Sequence, residues 1–481
     1  MQKKFITNLA FLVFVNLLIK PFWILGIDRA VQNTVGTASY GFYVTLFNFS
    51  LLFNIFLDLG ITNFNNRNIS QHMQLVQKHL SGIIVLRLLL AGVYLLIGIV
   101  FAFAFGFNTK EFELLLFLFL NQMLLSSIMY LRSNISGLHH FKTDSIISVL
   151  DRLIMIVICT FLLLFYKEDF SSHIEWFVYS QTAGYLFTAL ITLWILHGKI
   201  VLQRLSWHPA FLILILKKSA PFAVLIFLMG FYNRVDFVML GWLLPDNGAE
   251  QAGIYAQSYR LLDAANMIAF LFGALLLPLF SHLIKKHQPV EELTKLGYCL
   301  ISVPAVLLVI NCIFYKEDLM LLLYKNHVAE SAQVLGILVF CFFAMSSNYI
   351  FGTLLTANGN LKQLNIMALS GMTINIVLNL ILIPRYFALG AAVASVVTQF
   401  ATALIQLILS HRVFKFKVDY KLLMLFVIFI GVATLITYGS TFLSCYWLIS
   451  LCIAGIISLM TAFVLRLINI KVIREIMKQE E

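Results

Sequence analysis

Six basic residues of this 481-residue chain stand within or at the ends of long apolar runs: Lys20, Arg29, Arg87, Arg152, Arg234 and Arg260. Four acids stand in the same settings, Asp28, Asp58, Asp236 and Asp263. An ionisable side chain amid apolar sequence is costly, and it faces a protein interior, a watery space or a partner of opposite charge. Arg29, Arg260, Lys20 and Arg234 are therefore candidates for holding an anionic group. The structural alternative is inter-helix salt bridges, or side chains that reach out to the polar boundary. Arg87 and Arg152 read as such snorkelling side chains. A spacing of three puts Arg260 and Asp263 on one helical face, and Pro21 after Lys20 marks a kink. Asp28, Asp236 and Asp263 read as salt-bridge partners of these bases or as coupling acids. Asp58 has three readings: binding a coupling proton or sodium ion, capping a neighbouring helix, or pairing with Arg67. The stretch Asn63 to Asn68 is either the lining of an inner mouth or a plain turn.

Other chemistries are missing from the sequence. It has no phosphate-binding glycine loop, no His-Glu-x-x-His, no nucleophile elbow and no paired-carboxylate motif of glycosyltransferase type. Without a nucleotide site the chain cannot hydrolyse ATP. An ion gradient, the membrane potential or removal of product is left as the driving force. The six cysteines show no metal-ligand spacing and read as small buried hydrophobes. No cofactor is expected, apart from a coupling proton or sodium.

The elements that position these residues follow from composition. The chain is 61% hydrophobic and 11% charged, against roughly 25% charged in soluble domains. Long apolar stretches alternate with short polar knots, the pattern of membrane spans. Backbone groups in lipid must pair internally, so the spans are helices. Windows of about 20 apolar residues centre near residues 15, 50, 93, 121, 155, 185, 229, 267, 303, 341, 372, 400, 429 and 455, which predicts fourteen spans. The tenth carries Ser346, Ser347 and Asn348, and the seventh carries Arg234 and Asp236. Lys3 and Lys4 precede an apolar run with no small-residue cleavage site after it, so this run reads as a retained first span.

Basic residues gather in cytoplasmic loops. With the N-terminus inside, 22 of the 33 lysines and arginines fall in inner segments, six in outer segments and five within spans. Both termini are therefore expected in the cytoplasm. The net charge of +11 reflects this bias rather than nucleic-acid binding. No soluble domain is expected at either end, and the chemistry belongs to the helices.

The spans repeat. Gly41-Phe42-Tyr43 opens the second span and Gly253-Ile254-Tyr255 opens the eighth, 212 residues later. An apolar-Asp pair precedes each: Ile27-Asp28 and Val235-Asp236. A second echo joins the loop ending at Lys142 to that ending at Lys362, 220 residues apart. The similar offsets predict two six-helix halves, 1–208 and 209–412, followed by a pair of helices and a cytoplasmic tail over 413–481. An even number of spans per half relates the copies by an axis along the membrane normal.

On these residues the chain resembles the polysaccharide flippases of the multidrug/oligosaccharidyl-lipid/polysaccharide (MOP) exporter superfamily, and most of all their O-antigen and capsule branch. The resemblance covers nearly the whole chain. It is carried by Gly36 to Tyr43, Leu57-Asp58-Leu59-Gly60-Ile61, Arg234-Val235-Asp236, Gly253-Ile254-Tyr255, Arg260, Pro278 and Leu389 to Ser395. It implies an all-α, MATE-like membrane fold of two lobes around a central cavity. The cavity opens alternately to each face of the bacterial inner membrane. The implied cargo is an undecaprenyl-pyrophosphate-linked oligosaccharide, with Arg29, Arg260, Lys20 and Arg234 as contacts to its diphosphate. The same resemblance implies a monomer, working in the bilayer beside a polysaccharide polymerase complex. Lipid II flippases share an arginine after the first span and one in the eighth, matching Arg29 and Arg260. Their arginine late in the second span has no counterpart between Phe47 and Leu57. MATE-type drug exporters have less cationic cavities. A membrane polymerase or glycosyltransferase would be expected to carry a long periplasmic loop, and no loop here exceeds about 20 residues.

Overall fold

The computed structural model describes residues 14–62, 75–138, 140–197, 209–417 and 419–468, and all regular structure among them is helical. The chain enters as α1 (14–35), whose middle is a wide π-helical stretch over Trp23–Asp28. Gly36 ends α1 with φ +86°, a conformation that favours glycine, and its N–H closes on the Gln32 carbonyl at 3.0 Å. The chain turns there directly into α2 (Thr37–Leu52). The first unit continues through α3 (Leu75–Ala104), α4 (Thr109–Gly137), α5 (Phe141–Phe165), α6 (Glu175–His197) and α7 (Pro209–Leu243). Asn108 starts α4 with a reciprocal cap: its side chain accepts from the Glu111 N–H, and Glu111 accepts from the Asn108 N–H.

Next come α8 (Gly248–Lys285) and α9 (Glu291–Phe314), then α10 over Val328–Ala357. A continuous helical run, Leu361–Phe414, breaks at Phe387 (φ 54°), after Pro384, into α11 (361–386) and α12 (388–414). The last helices are α13 (Tyr420–Ser440) and α14 (Trp447–Val464). Asp419 caps α13 by accepting from the Leu422 N–H at 3.0 Å and pairs with Lys295 at 3.0 Å. The Leu422 N–H, with Lys295 second, holds its carboxyl below the ordinary value.

Among the described residues, ten helices are long and apolar enough to cross a membrane, fewer than the fourteen expected spans. The difference has physical causes. The start of α1 lies outside the described residues, and α2 has only 16 residues. The apolar pattern of α6 is diluted by Gln181, Thr182, Thr188 and Thr192. The kinked run of α11 and α12 counts as one helix of 54 residues. Large apolar side chains stand exposed along the helices, among them Leu88, Leu96 and Phe103 on α3 and Leu423, Val427 and Leu435 on α13. In water such a surface would aggregate. In a bilayer it is the lipid-facing side.

By contacts the chain divides into two compact units, 1–253 and 254–481. This is a division by packing, and the sequence halves expected at 208/209 rest on a different criterion, the repeated motifs. In the first unit α6 lies between α4 and α5, and α2 packs on α7 and α4. The repeated glycines take part directly. A Cβ at Gly41 would overlap the Ala249 carbonyl oxygen, and one at Gly253 the Thr37 carbonyl oxygen, so α2 and the start of α8 cross backbone to backbone. Gln32 Nε2 donates to the Gly253 carbonyl at 2.9 Å beside them.

In the second unit α13 and α14 pack on α9 around Val303, Phe429, Ala433 and Ala462. The polar residues of α10 are absorbed there. Ser346 donates to the Phe342 carbonyl at 2.7 Å, and Asn348 Nδ2 donates to Gln399 and Thr402 of α12 at 3.2 Å each. The cysteines differ from expectation in two cases. Cys159, Cys299 and Cys341 are buried and Cys312 half-buried, but Cys445 and Cys452 are exposed. Cys445 lies on the connection between α13 and α14 and Cys452 on the outer face of α14, where small size alone does not bury a side chain.

Candidate functional site

The polar groups of the first unit gather along α1. The Asn16 Nδ2 donates to Ser148 Oγ of α5 at 2.9 Å, and Trp23 stacks on Phe177 of α6 with ring centroids 5.8 Å apart. These contacts hold α1 against α5 and α6. Lys20 lies between them, near enough to Arg152, Asp151 and Arg132 to feel their charges. The Arg152 guanidinium lies over the rings of Trp23 (5.4 Å) and Tyr185 (5.7 Å). Such a geometry holds the planar cation in place, and the Asp151 carboxylate pairs with its Nε at 3.6 Å. Arg152 was expected to snorkel to the boundary. It turns inward instead, because α1 and α6 supply two aromatic faces within its reach.

One turn past Trp23, Asp28 is buried and accepts the Tyr40 hydroxyl at 2.8 Å. Arg29 is half-buried, and its Nε is buried without a hydrogen-bond partner. The two neighbours in sequence thus play unlike roles. The acid anchors the α1–α2 turn, while the base keeps a donor unspent.

Asp58 ends a short helix, Ile55–Asp58, whose C-cap Leu59 takes φ 45°, followed by Gly60 at φ 79°. Its carboxylate accepts the Thr62 N–H at 3.1 Å and also bonds the Thr62 hydroxyl. Its ionic partner is Arg87 at 2.7 Å. Arg67 and the stretch Asn63 to Asn68 lie outside the described residues. Arg87 is buried, donates to the Ser126 carbonyl at 2.7 Å and to its hydroxyl, and sits 4.9 Å from the Tyr130 ring centroid. The snorkelling expected of Arg87 is therefore corrected. It is the inner end of a network joining the end of α2, α3 and α4, because Asp58 and Ser126 bring acceptors to it.

On α7, Asp236 is fully buried and Arg234 half-buried, and both are engaged in polar interactions. In the second unit Arg260 Nη1 lies 3.4 Å from Asp263 Oδ2 on the same face of α8. The two repeated tyrosines make matching contacts, each within its own unit. Tyr43 accepts from Gln181 Nε2 of α6 at 2.8 Å, and the Tyr255 hydroxyl meets Ser395 of α12 at 3.1 Å. Sequence reading missed Gln181, Ser395, Trp23 and Tyr185. The adjacent charges Asp151-Arg152 inside an apolar run were the one available signal for the cluster around Lys20.

A many-helix protein with long apolar helices, large exposed apolar side chains and charged side chains buried along its helices belongs to the class of polytopic membrane proteins. Residues 6–284, more than half of the chain, match the family described as polysaccharide biosynthesis protein, and the chain belongs to that family. The fold is that of the MOP superfamily. It resembles the lipid II flippase MurJ in its inward closed conformation, with TM-score 0.76 and 13% identity, covering 95% of this chain and 98% of that one. It also resembles an inward-facing MATE family multidrug resistance transporter (TM-score 0.64, 12% identity, 82% and 94% covered). A third likeness is a MOP superfamily transporter from Pyrococcus furiosus (TM-score 0.59, 13% identity, 85% and 95% covered). An uncharacterized membrane protein of Methanocaldococcus jannaschii is 26% identical over 191 residues, 40% of this chain and 44% of that relative. The match thus spans less than half of that relative's length.

Proposed function

We propose that this protein is a flippase that moves an undecaprenyl-pyrophosphate-linked oligosaccharide, an O-antigen or capsule repeat unit, across the bacterial inner membrane by alternating access. The observation that carries this reading is a half-buried cation whose buried Nε has no hydrogen-bond partner, Arg29, in a chain of the polysaccharide biosynthesis family. The cargo's diphosphate carries roughly two negative charges, and charge-assisted contacts to arginine are each worth about 1.5–3 kcal/mol net. Arg29 and Arg260 serve as head-group contacts, with Lys20 and Arg234 as further cations. Asp28, Asp58, Asp236 and Asp263 serve as the acids that hold this framework. The chain works as a monomer, beside a polysaccharide polymerase complex and without a nucleotide. The likeness to a protein named as a lipid II flippase favours lipid II as the second reading. The likeness to multidrug transporters is a more distant alternative.

Purified protein in liposomes is expected to move lipid-linked oligosaccharide without a nucleotide sugar, leaving glycan length unchanged on a gel. Lengthened product would show a polymerase or glycosyltransferase instead. In the same assay Arg29→Ala and Arg260→Ala should lower transport per folded molecule about tenfold or more, by the contact energies above. Arg→Lys should lose less, since charge is kept and only the fork is lost. Wild-type transport per folded molecule in both alanine variants removes the head-group role.

The orientation belongs to the same proposal: fourteen crossings with both termini in the cytoplasm. Reporter fusions after Lys110, Lys167 and Lys325 should read as periplasmic. Fusions after Lys142, Lys286 and Lys417 should read as cytoplasmic. A periplasmic C-terminus would overturn the count.

A further inference from the structure

We infer that a cavity at the end of α5 holds the headgroup of a bilayer phospholipid with a primary ammonium, phosphatidylethanolamine. Leu162, Tyr166, Asp169, Phe170 and Trp176 line this cavity of about 270 Å³. It is separate from the cations given to the cargo, and it stands without the flippase reading. Tyr166 follows the last residue of α5, and Trp176 is the second residue of α6. The cavity therefore lies at a membrane boundary, the periplasmic one in the orientation proposed above. Tyr and Trp gather at such boundaries. Pockets that enclose a whole ligand run to about 300–1,000 Å³, so this one suits a headgroup with its tails lying outside. Val157, Phe161, Leu164 and Phe165 stand exposed on α5, at the spacing of one helical face. The Phe161 ring comes within 5.9 Å of the Tyr166 ring, so this apolar track leads to the cavity.

A second copy of the same local sequence shows that the cavity wants a cover. Phe-Tyr-Lys-Glu-Asp occurs at 165–169 and again at 314–318. Each copy ends a long helix and starts a short one, Lys167–Ser172 in the first unit and Lys316–Leu323 in the second. The backbone is alike in both. The Tyr166 N–H closes on the Leu162 carbonyl at 2.9 Å, and the Tyr315 N–H on the Asn311 carbonyl at 3.0 Å. The side chains fare differently. Tyr315 is 3% exposed, with its hydroxyl 2.7 Å from Ser440 Oγ and its ring beside that of Trp447. Both partners come from the final pair of helices, α13 and α14. Tyr166 is 51% exposed. What protein covers in the second unit is open toward lipid in the first.

The lining chooses the occupant. The Asp169 carbonyl meets His173 Nδ1 at 3.1 Å, but its carboxylate has no ion pair or side-chain hydrogen bond among the described residues. A carboxylate beside two aromatic rings attracts a cation. Bilayer phospholipids offer that cation as the ammonium of the headgroup. A primary ammonium has three N–H donors, so it can donate to Asp169 while resting against the rings of Tyr166 and Trp176. Phosphatidylglycerol has the same phosphate and tails but no cation, and Asp169 repels it.

The test uses purified full-length protein in dodecyl maltoside, incubated with an equimolar mixture of dioleoyl phosphatidylethanolamine and dioleoyl phosphatidylglycerol. Native mass spectrometry reads the ratio of the two lipids in the singly bound species. Asp169→Asn and Trp176→Leu should each lower the ethanolamine-to-glycerol ratio about three- to fivefold relative to wild type. Asp318→Asn, in the covered copy, should leave the ratio at the wild-type value. A folded Asp169→Asn variant with the wild-type ratio would overturn the site. So would an equal fall in Asp318→Asn, since surface acidity alone would then explain the preference. A wild-type dimer peak that disappears in Trp176→Leu would assign the cavity to a second copy of the chain and overturn the lipid.

Discussion

Replacing Gly41 with alanine should cost this protein about 3 kcal/mol or more, the upper range for overpacking a tight contact. The added Cβ would overlap the Ala249 carbonyl oxygen. A backbone oxygen cannot turn away as the end of a flexible side chain can, so relief requires α2 and α8 to separate. Separation would break the Gln32 contact to the Gly253 carbonyl. Gly253→Ala should behave alike, since its Cβ would meet the Thr37 carbonyl. Gly230 and Gly431 also lie in helices, yet a Cβ on either meets nothing within 4 Å. Gly230→Ala and Gly431→Ala should therefore be neutral or stabilise by about 0.5–1 kcal/mol, through helix propensity. Thermal unfolding of detergent-purified protein, read by loss of the monodisperse peak, checks all four. Equal stability of Gly41→Ala and Gly431→Ala would show that the crossing is not as close as the backbone implies.

A loss of similar size is expected for Arg87→Met. Removing this base strands the Asp58 carboxylate, which keeps only Thr62, and frees the Ser126 carbonyl. Breaking one side of a fully buried pair costs about 3–5 kcal/mol, and with the Asp58 side chain 26% exposed the loss should fall at the low end, about 3 kcal/mol. Removing the charge of both partners avoids most of that, so Asp58→Asn combined with Arg87→Met should unfold later than Arg87→Met alone. A snorkelling Arg87 would instead give a change within about 0.5 kcal/mol and no recovery in the double variant. The same melting measurement separates the two outcomes. Its result also bears on Asp58 as a coupling group. A carboxylate tied to Arg87 and Thr62 serves the packing of these helices, so a loss confined to stability would favour the structural role.

Residue type and order alone determined that this is an all-helical membrane protein, since 61% hydrophobic content in long runs admits few other solutions. They also determined the i, i+3 pairing of Arg260 with Asp263, and they marked Gly41 and Gly253 as a repeated pair, both of which lie at a close backbone crossing. These are local or periodic properties, and a helix repeats them in space as the chain repeats them in sequence. Tertiary structure alone decided which charges are spent and which are left over. Arg87 and Arg152 each stand inside an apolar run, Arg152 directly after Asp151. One found a carboxylate across 29 residues, and the other found two aromatic rings from α1 and α6. Asp28 and Arg29 are adjacent, yet the acid bonds Tyr40 while the Nε of the base stays unpaired. Partner choice depends on which faces α1, α5 and α6 present to one another, and that is set by packing at contacts such as Trp23 on Phe177 rather than by any residue's own preference.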